Sequence, residues 1–161
     1  MTTYARPITI TNNSLATTGA DAPLLSQPDP AMCITDELHV SPNGEFLLWQ
    51  MNCEADLYIR LLRRGQMAST ATTIPRSYFL DWSPDGNWFL LRQIDEDVVY
   101  LAAADGSQQF PLNLPSGAYG GAFSRDDQTI LYAASQGLNF CSELGALNLA
   151  TAVPGNIYWL P

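Results

Sequence analysis

The chain contains no lysine at all, and among its 161 residues it has only one histidine, His39, and three cysteines. Without lysine it cannot form a Schiff base or supply the lysine of a Walker-type phosphate loop. The cysteines show no CxxC spacing, so a zinc ribbon or zinc finger is not expected. The composition therefore excludes several enzyme classes and predicts no cofactor and no bound metal.

Long apolar stretches are also missing. No segment approaches the roughly 18 apolar residues that cross a bilayer, and the first thirty residues lack the apolar centre of a signal peptide. We therefore expect a protein that does not insert into membranes. The expected location is the cytoplasm, or outside it if an export signal has been removed.

Positive charge is scarce as well. Seven arginines face sixteen carboxylates, which gives a net charge of -9 and a pI near 4.2. Such a field repels phosphate backbones and anionic lipid surfaces, so nucleic acid is not an expected partner. With 47% apolar residues, the chain can still bury one sizeable core.

The main positive feature is a short turn sequence that occurs three times, at serines 41, 83 and 124, which lie 42 and 41 residues apart. Proline presets the first corner of a tight turn, Asn or Asp tolerates the second, and glycine accepts a positive φ. In the third copy Arg125 replaces the proline and an aspartate replaces the glycine. The turn residues are Ser41, Pro42, Asn43 and Gly44, then Ser83, Pro84, Asp85 and Gly86, then Ser124, Asp126 and Asp127.

Each turn is followed by a continuous apolar run, at 46–49, 88–91 and 129–132. Such runs are typical of strands that are covered on both faces. The face-to-face packing of β-propeller blades provides that environment. Further strands are predicted at 57–61 and 98–102, and fourth strands at 72–75, 112–115 and 158–161, with an insertion at 136–145 in the third unit.

The segment Trp82-Ser83-Pro84-Asp85-Gly86, which follows Tyr78-Phe79-Leu80, resembles the repeat of TolB-type, WD-repeat-like propellers. The same repeat occurs in the propellers of prolyl-oligopeptidase-like peptidases. The resemblance begins at about residue 33 and implies a fold without implying a function. It implies an all-β partial propeller of three four-stranded antiparallel blades, at residues 31–75, 76–115 and 116–161, after an N-terminal arm or linker at 1–30. In a rival phasing, residues 156–161 begin a fourth blade.

Propellers close with roughly four to eight blades, so three blades leave two apolar faces open. We expect a protein partner or a second copy of the chain, paired head to tail, to cover them. The predicted function is a non-catalytic interaction scaffold or assembly subunit. Two alternatives are a propeller segment that gates or supports a prolyl-oligopeptidase-like serine peptidase, and an exported TolB-like envelope protein.

The sequence predicts no catalytic residue. His39 precedes Ser41 by two residues on a strand that ends at the turn, and no Gly-x-Ser-x-Gly elbow is present. The repeated serines are explained by their turns, in which a serine hydroxyl bonds the nearby backbone. We therefore expect that the chain is not an enzyme.

Carboxylates cluster in two corresponding loops, which should lie on the same rim of the propeller. Such a rim could attract a basic partner or a divalent cation, or could simply be a solvated loop surface. The candidate residues of this acidic rim are Glu54, Asp56, Asp95, Glu96 and Asp97.

Cys33 and Cys53 form a candidate disulfide. Mirroring residues across the turn that begins at Ser41 sets the two cysteines opposite each other on antiparallel strands. Directly opposed residues lie about 4.5 to 5.5 Å apart between Cα atoms, within the range of a disulfide. In the cytoplasm the same thiols would stay reduced and pack as small apolar side chains.

Overall fold

The computed structural model describes residues 2–5, 8–11, 14–17, 22–26, 33–53, 56–66, 68–115, 117–135 and 142–149. In these residues the protein is all-β, with two antiparallel sheets of four strands and one of three. The prediction of an all-β, antiparallel fold is therefore confirmed. The described residues contain no helix that is long and apolar enough to cross a membrane.

The three sheets follow one another along the chain, and within each sheet the strands are neighbours in chain order. The first sheet contains β5 (Cys33–Val40), β6 (Phe46–Cys53), β7 (Asp56–Arg63) and β8 (Thr72–Pro75). The second contains β9 (Ser77–Trp82), β10 (Trp88–Gln93), β11 (Val98–Ala103) and β12 (Gln109–Pro111). The third contains β13 (Ala118–Phe123), β14 (Thr129–Ser135) and β15 (Ser142–Asn148). A 3₁₀ turn at Ala68–Thr70 precedes β8.

The N-terminal segment, for which the sequence indicated an arm or linker, contains four short paired strands. In it β1 (Thr2–Ala5) pairs with β4 (Ala22–Ser26), and β2 (Ile8–Thr11) pairs with β3 (Ser14–Thr17). The β-branched isoleucine and threonine residues of β2 favour an extended backbone. The segment is therefore a two-stranded ribbon, which the single alternation at residues 8–10 only partly indicated.

The fourth strand of the second sheet lies earlier than the predicted segment 112–115. It is β12, Gln109–Pro111, because the turn after β11 is tight: Gly106 has a φ of 74° and its N–H donates to the Ala103 carbonyl at 2.8 Å. Leu112 then donates its N–H to the Val99 carbonyl at 2.9 Å as the chain leaves the sheet.

The predicted insertion at 136–145 was partly wrong, because its last residues belong to β15. Gly145 pairs with Tyr132, and a Cβ on this glycine would collide with the tyrosine ring. The glycine thus marks close packing within a sheet and not a loop. The predicted strand at 158–161 and the rival phasing at 156–161 lie outside the described residues.

The continuous apolar run of β10 results from cover on both faces of the second sheet. Phe89, Leu90 and Leu91 all have no exposed surface. Because successive side chains of a strand alternate between faces, Phe89 and Leu91 pack with Leu48 of the first sheet, while Leu90 packs with Ile130 of the third. The second sheet is therefore the middle layer of a three-sheet stack.

We expect that Leu90→Ala destabilises the protein by about 2 to 5 kcal/mol, since it removes a buried side chain between two sheets. Ile94→Ala, on an exposed turn of the same sheet, should change stability by less than about 0.5 kcal/mol. Urea denaturation followed by tryptophan fluorescence measures both. Equal and small effects would contradict the middle-layer position of Leu90.

Candidate functional site

The three repeated turns share one hydrogen-bond pattern centred on the serine. In the second turn the Ser83 hydroxyl accepts the Trp88 N–H at 2.9 Å and donates to Asp85 Oδ1 at 2.6 Å. Asp85 Oδ1 also accepts the Asn87 N–H at 2.9 Å. The same contacts recur around Ser41 with Asn43, Glu45 and Phe46, and around Ser124 with Asp126, Gln128 and Thr129. The serine hydroxyls are thus engaged in holding the turns.

The first turn stacks on the second, and the second turn stacks on the third. The fourth turn residue has a positive φ in all three copies, 71° at Gly44, 72° at Gly86 and 57° at Asp127. A Cβ on Gly86 would lie 2.7 Å from Asn43 Cγ, so the first junction requires glycine for space as well as for conformation. Asp85 and Asp127 occupy the corresponding positions at the second junction.

The second junction therefore brings two carboxylates together where the first has an amide and a glycine. Burial raises the pKa of the Asp127 carboxyl, and the charges of Asp85 and Asp126 raise it further. Asp127 Oδ1 is buried without a hydrogen-bond partner. By contrast, hydrogen bonds from Ser124 and from the Gln128 N–H lower the pKa of Asp126. The ionised carboxylate of Asp127 is thus the group in this turn that destabilises the folded state.

We expect that Asp127→Asn stabilises the protein at pH 7, by up to about 1 kcal/mol because the pair is partly exposed. The raised pKa means that the folded state holds this proton more tightly than the unfolded state. The cost of Asp127 is therefore absent below the ordinary aspartate pKa and grows as the pH rises through the folded pKa. Urea denaturation of both proteins from pH 3 to 7 should show a gain that vanishes at the acid end.

Asp126→Ala provides the opposite control, because it removes the carboxylate that holds the turn. It should destabilise the protein at pH 7, and its effect should shrink as the pH falls through the lowered pKa. A pH-independent gain from Asp127→Asn would show that repulsion is not the cause.

The acidic loops lie at the rim opposite the turns, and Arg76 joins them. Its Nη1 lies 2.9 Å from Asp56 Oδ1 and its Nε lies 2.5 Å from Asp95 Oδ2, which links the first and second sheets. The hydrogen bond that Arg76 donates to Asp95 is the main reason that the Arg76 pKa is raised. The Arg76 backbone, with a φ of 50°, also accepts the Ile94 N–H at 2.9 Å. No sequence signal pointed to this arginine.

The other carboxylates of the rim are paired too. Asp97 binds Arg92, and Glu96 accepts the Tyr100 hydroxyl, which raises the Tyr100 pKa. Glu54 lies outside the described residues. Within the part of the chain that the structure describes, no three metal-binding side chains come together. The described carboxylates of the rim are therefore engaged by arginine or tyrosine side chains.

His39 lies at the junction of the first two sheets. Its Nε2 is 2.9 Å from Glu37 Oε2, and its ring packs on Phe79 with the centroids 4.3 Å apart. Asp81 lies two residues before its turn serine, as His39 does. At the second junction its Oδ2 accepts the Phe123 N–H at 2.9 Å. Gln50 Oε1 likewise accepts the Phe79 N–H at 3.0 Å. Neither Gln50 nor Asp81 was predicted from the sequence, although a carboxylate within an apolar strand was a usable signal.

One apolar sheet surface is exposed. We call the face that each sheet turns towards the next sheet its forward face. Leu48, Leu90 and Leu131 each follow their turn serine by seven residues on this face, and they are 0%, 0% and 52% exposed. Leu144 is 88% exposed, whereas Val99, at the corresponding ladder position of the second sheet, is 2% exposed. The centre of the forward face of the third sheet consists of Ala122, Leu131, Ala133, Leu144 and Ala146, and Thr129 and Asn148 lie on the same face nearer the turn.

The candidate disulfide lies at the far end of the first sheet. Cys33 is the ladder partner of Cys53, as the mirrored positions predicted, and Cys53 is disulfide-bonded. A one-residue irregularity between Thr35 and Glu37 separates this end of the ladder from the turn. The register thus supports the predicted pairing of Cys53 with Cys33.

We expect one free thiol, that of Cys141, when protein prepared without reductant is denatured and titrated with a thiol reagent. Cys33→Ser should raise the count to two, since it releases Cys53. A count of three in the unmodified protein would show that the thiols are reduced, as expected for the cytoplasm. Cys141→Ser, which should show no free thiol, is the control for partner exchange.

No protein-family model matches the chain, and no curated protein matches it either.

Proposed function

We propose that this chain is a non-catalytic protein interaction module, built from three blades of a TolB-type β-propeller. Its binding surface is the forward face of the third sheet. The observation that carries the proposal is the exposure of Leu131 and Leu144 at positions that are buried in the preceding sheets. A contiguous apolar face of this kind is rare on a soluble monomer and marks an interaction site.

The repeated junction supports the propeller arrangement. Between the first and second sheets, and again between the second and third, leucines of one forward face pack against the next sheet. The turns stack in the same order at both junctions. Similar sheets related by the same contact, repeated along the chain, are the arrangement of propeller blades. We accordingly propose that residues 31–75, 76–115 and 116–161 are the three blades.

The engagement of the repeated serines supports a role without catalysis. Each hydroxyl accepts a backbone N–H and donates to a side chain of its own turn. His39 contacts Glu37 and Phe79, not a serine. A serine nucleophile needs a base that is free to take its proton, whereas the carboxylates of Asp85 and Asp126, which accept from these hydroxyls, also accept backbone N–H groups of their turns.

The chemistry of the exposed face indicates the class of partner. The centre of the forward face of the third sheet carries alanines and leucines, with uncharged Thr129 and Asn148 nearer the turn. The chain as a whole has a net charge of -9. An apolar protein surface would fit this face, whereas nucleic acid would be repelled.

The test compares tagged wild-type protein with the double variant Leu131→Asp and Leu144→Asp, each expressed in the source cells. We expect wild-type protein to co-purify a specific partner, and we expect the double variant to lose that partner. Untagged copies of the chain count as a partner in this test. Ile94→Asp, at an exposed apolar position on a turn away from this face, is the matched control and should keep the partner. Circular dichroism and thermal melting verify that all three proteins are folded.

Equal capture by all three proteins would contradict the proposed surface. Absence of any partner or second copy with wild-type protein would contradict the proposed function itself.

A further inference from the structure

The first junction contains a polar cleft near the turns. Two adjoining cavities lie there, of about 240 Å³ and 370 Å³. Both are lined by Phe46 and Arg63 of the first sheet and by Asp105, which follows β11 of the second. Thr72 lines the smaller cavity and Glu45 lines the larger. We call the two cavities together the junction cleft.

The first sheet is more polar at this place than the second sheet is at the corresponding place. Ladder pairing makes Thr72 the counterpart of Phe110, and Arg63 the counterpart of Ala103. Phe110 packs on Trp88 with the ring centroids 6.1 Å apart. The first sheet thus has one aromatic ring and two polar side chains where the second has two aromatic rings and an alanine.

The facing side of the first junction also differs from that of the second. Ala104 and Leu149 are counterparts, because each donates its N–H to the carbonyl four residues after a turn serine, at 2.8 and 2.9 Å. Leu149 is 2% exposed and packs in one cluster with Leu90. In the sequence an alanine follows Leu149, whereas Asp105 follows Ala104. Smaller or more polar side chains therefore border the first junction, and such a departure from a repeat's own packing is expected at a functional site.

The guanidinium of Arg63 can bind a ligand in the cleft. Its side chain is 62% exposed, and its Nη2 lies 3.6 Å from Glu45 Oε2, which is longer than a hydrogen bond. Its Cζ lies 6.0 Å from the centroid of the Phe46 ring. A guanidinium has five N–H donors and accepts no hydrogen bond. Arg63 therefore offers donors beside an aromatic ring.

Carboxylates supply acceptors in the same cleft. Asp105 Oδ1 accepts the Ser107 N–H at 2.9 Å. Hydrogen bonds from the hydroxyl and the N–H of Ser107 lower the pKa of Asp105, and the charge of Arg63 lowers it further. Asp105 is therefore ionised at neutral pH, and with Glu45 the cleft has two carboxylates beside one guanidinium.

This mixture of groups indicates the class of ligand. An anion would leave the carboxylates without donors, and a cation would leave the donors of Arg63 without acceptors, which costs binding free energy. A hydroxyl group both donates and accepts. A neutral ligand with several hydroxyl groups can therefore satisfy both kinds of side chain.

We propose that the junction cleft binds a neutral saccharide, whose hydroxyl groups accept from Arg63 and donate to Asp105, and whose C–H groups pack on Phe46. Arg63 ends β7 and Asp105 follows β11, and both strands are paired on both sides. These strands offer no open edge to an extended peptide. The cleft is separate from the forward face of the third sheet, so this inference does not rest on the proposed function.

The experiment measures saturation transfer by NMR from the full chain to neutral hexoses, pentoses and N-acetylhexosamines at millimolar concentration. We expect transfer from wild-type protein to at least one of these sugars. Arg63→Ala and Asp105→Ala introduce the alanine found at positions 103 and 150. Each should raise the dissociation constant of that sugar about 10-fold or more, because each removes a charged hydrogen-bonding group.

Arg125→Ala is the matched control, since it makes the same change of charge as Arg63→Ala at an exposed turn of the third sheet. It should bind the sugar as wild-type protein does. Circular dichroism and thermal melting verify that every variant is folded. Absence of transfer from wild-type protein to every sugar, or equal binding by Arg63→Ala and Asp105→Ala, would overturn the inference.

Charged derivatives test the assignment of a neutral ligand. The phosphate ester and the amino derivative of the sugar that binds should both bind more weakly than the sugar itself. Tighter binding of either derivative would overturn this assignment. The double variant Leu131→Asp and Leu144→Asp should bind the sugar as wild-type protein does, which keeps a failure of the cleft distinguishable from a failure of the proposed interaction surface.

Discussion

The structure depends on the packing of apolar side chains on both faces of the second sheet. Phe89 and Leu91 face the first sheet, and Leu90 faces the third, so a single strand connects two interfaces. Burial of such side chains supplies most of the favourable free energy of folding. The polar contacts at the edges then fix how each sheet is placed on the next.

Those polar contacts lie at opposite ends of the sheets and have different chemistry. At one end the turns stack, with Asn43 against Gly86 and Asp85 near Asp127. At the other end Arg76 binds carboxylates from two successive sheets. The first junction is thus well satisfied at both ends. The second junction contains two carboxylates, Asp85 and Asp127, whose repulsion opposes folding. The stability of the two junctions should therefore depend differently on pH.

The same repeated contact explains why we propose the exposed face at the end of the stack as the interaction surface. A face that is buried in the middle of the stack becomes an exposed apolar surface at its end, without any change in residue type. Leu90 is buried between two sheets, whereas Leu131, at the corresponding position of the third sheet, is 52% exposed. The proposed interaction surface therefore needs no special motif, since it has the residue types that form the core at the preceding junctions.

Much of the fold could be predicted from local pattern. The repeated turns have the conformation that their chemistry predicts. The opposition of Cys33 and Cys53 was predicted by counting outward from one turn, but it depends on the irregularity between Thr35 and Glu37, because the ladder pairs Val40 with Leu47 and not with Phe46. The position of β12 and the start of β15 were not predicted. A tight Gly106 turn and the packing of Tyr132 on Gly145 decide them, and neither leaves a distinct sequence pattern.

The sequence by itself determined that the chain is all-β and where its repeated turns fall, because turn chemistry and side-chain alternation are local properties. Its prediction of cover on both faces was wrong for the run at 129–132, where Leu131 is 52% exposed. Only the tertiary structure decided that Arg76 joins two acidic loops, that Asp127 lies near Asp85, and that Leu131 is exposed while Leu90 is buried. These are contacts between residues of different sheets. They depend on how whole sheets stack, which no short segment encodes.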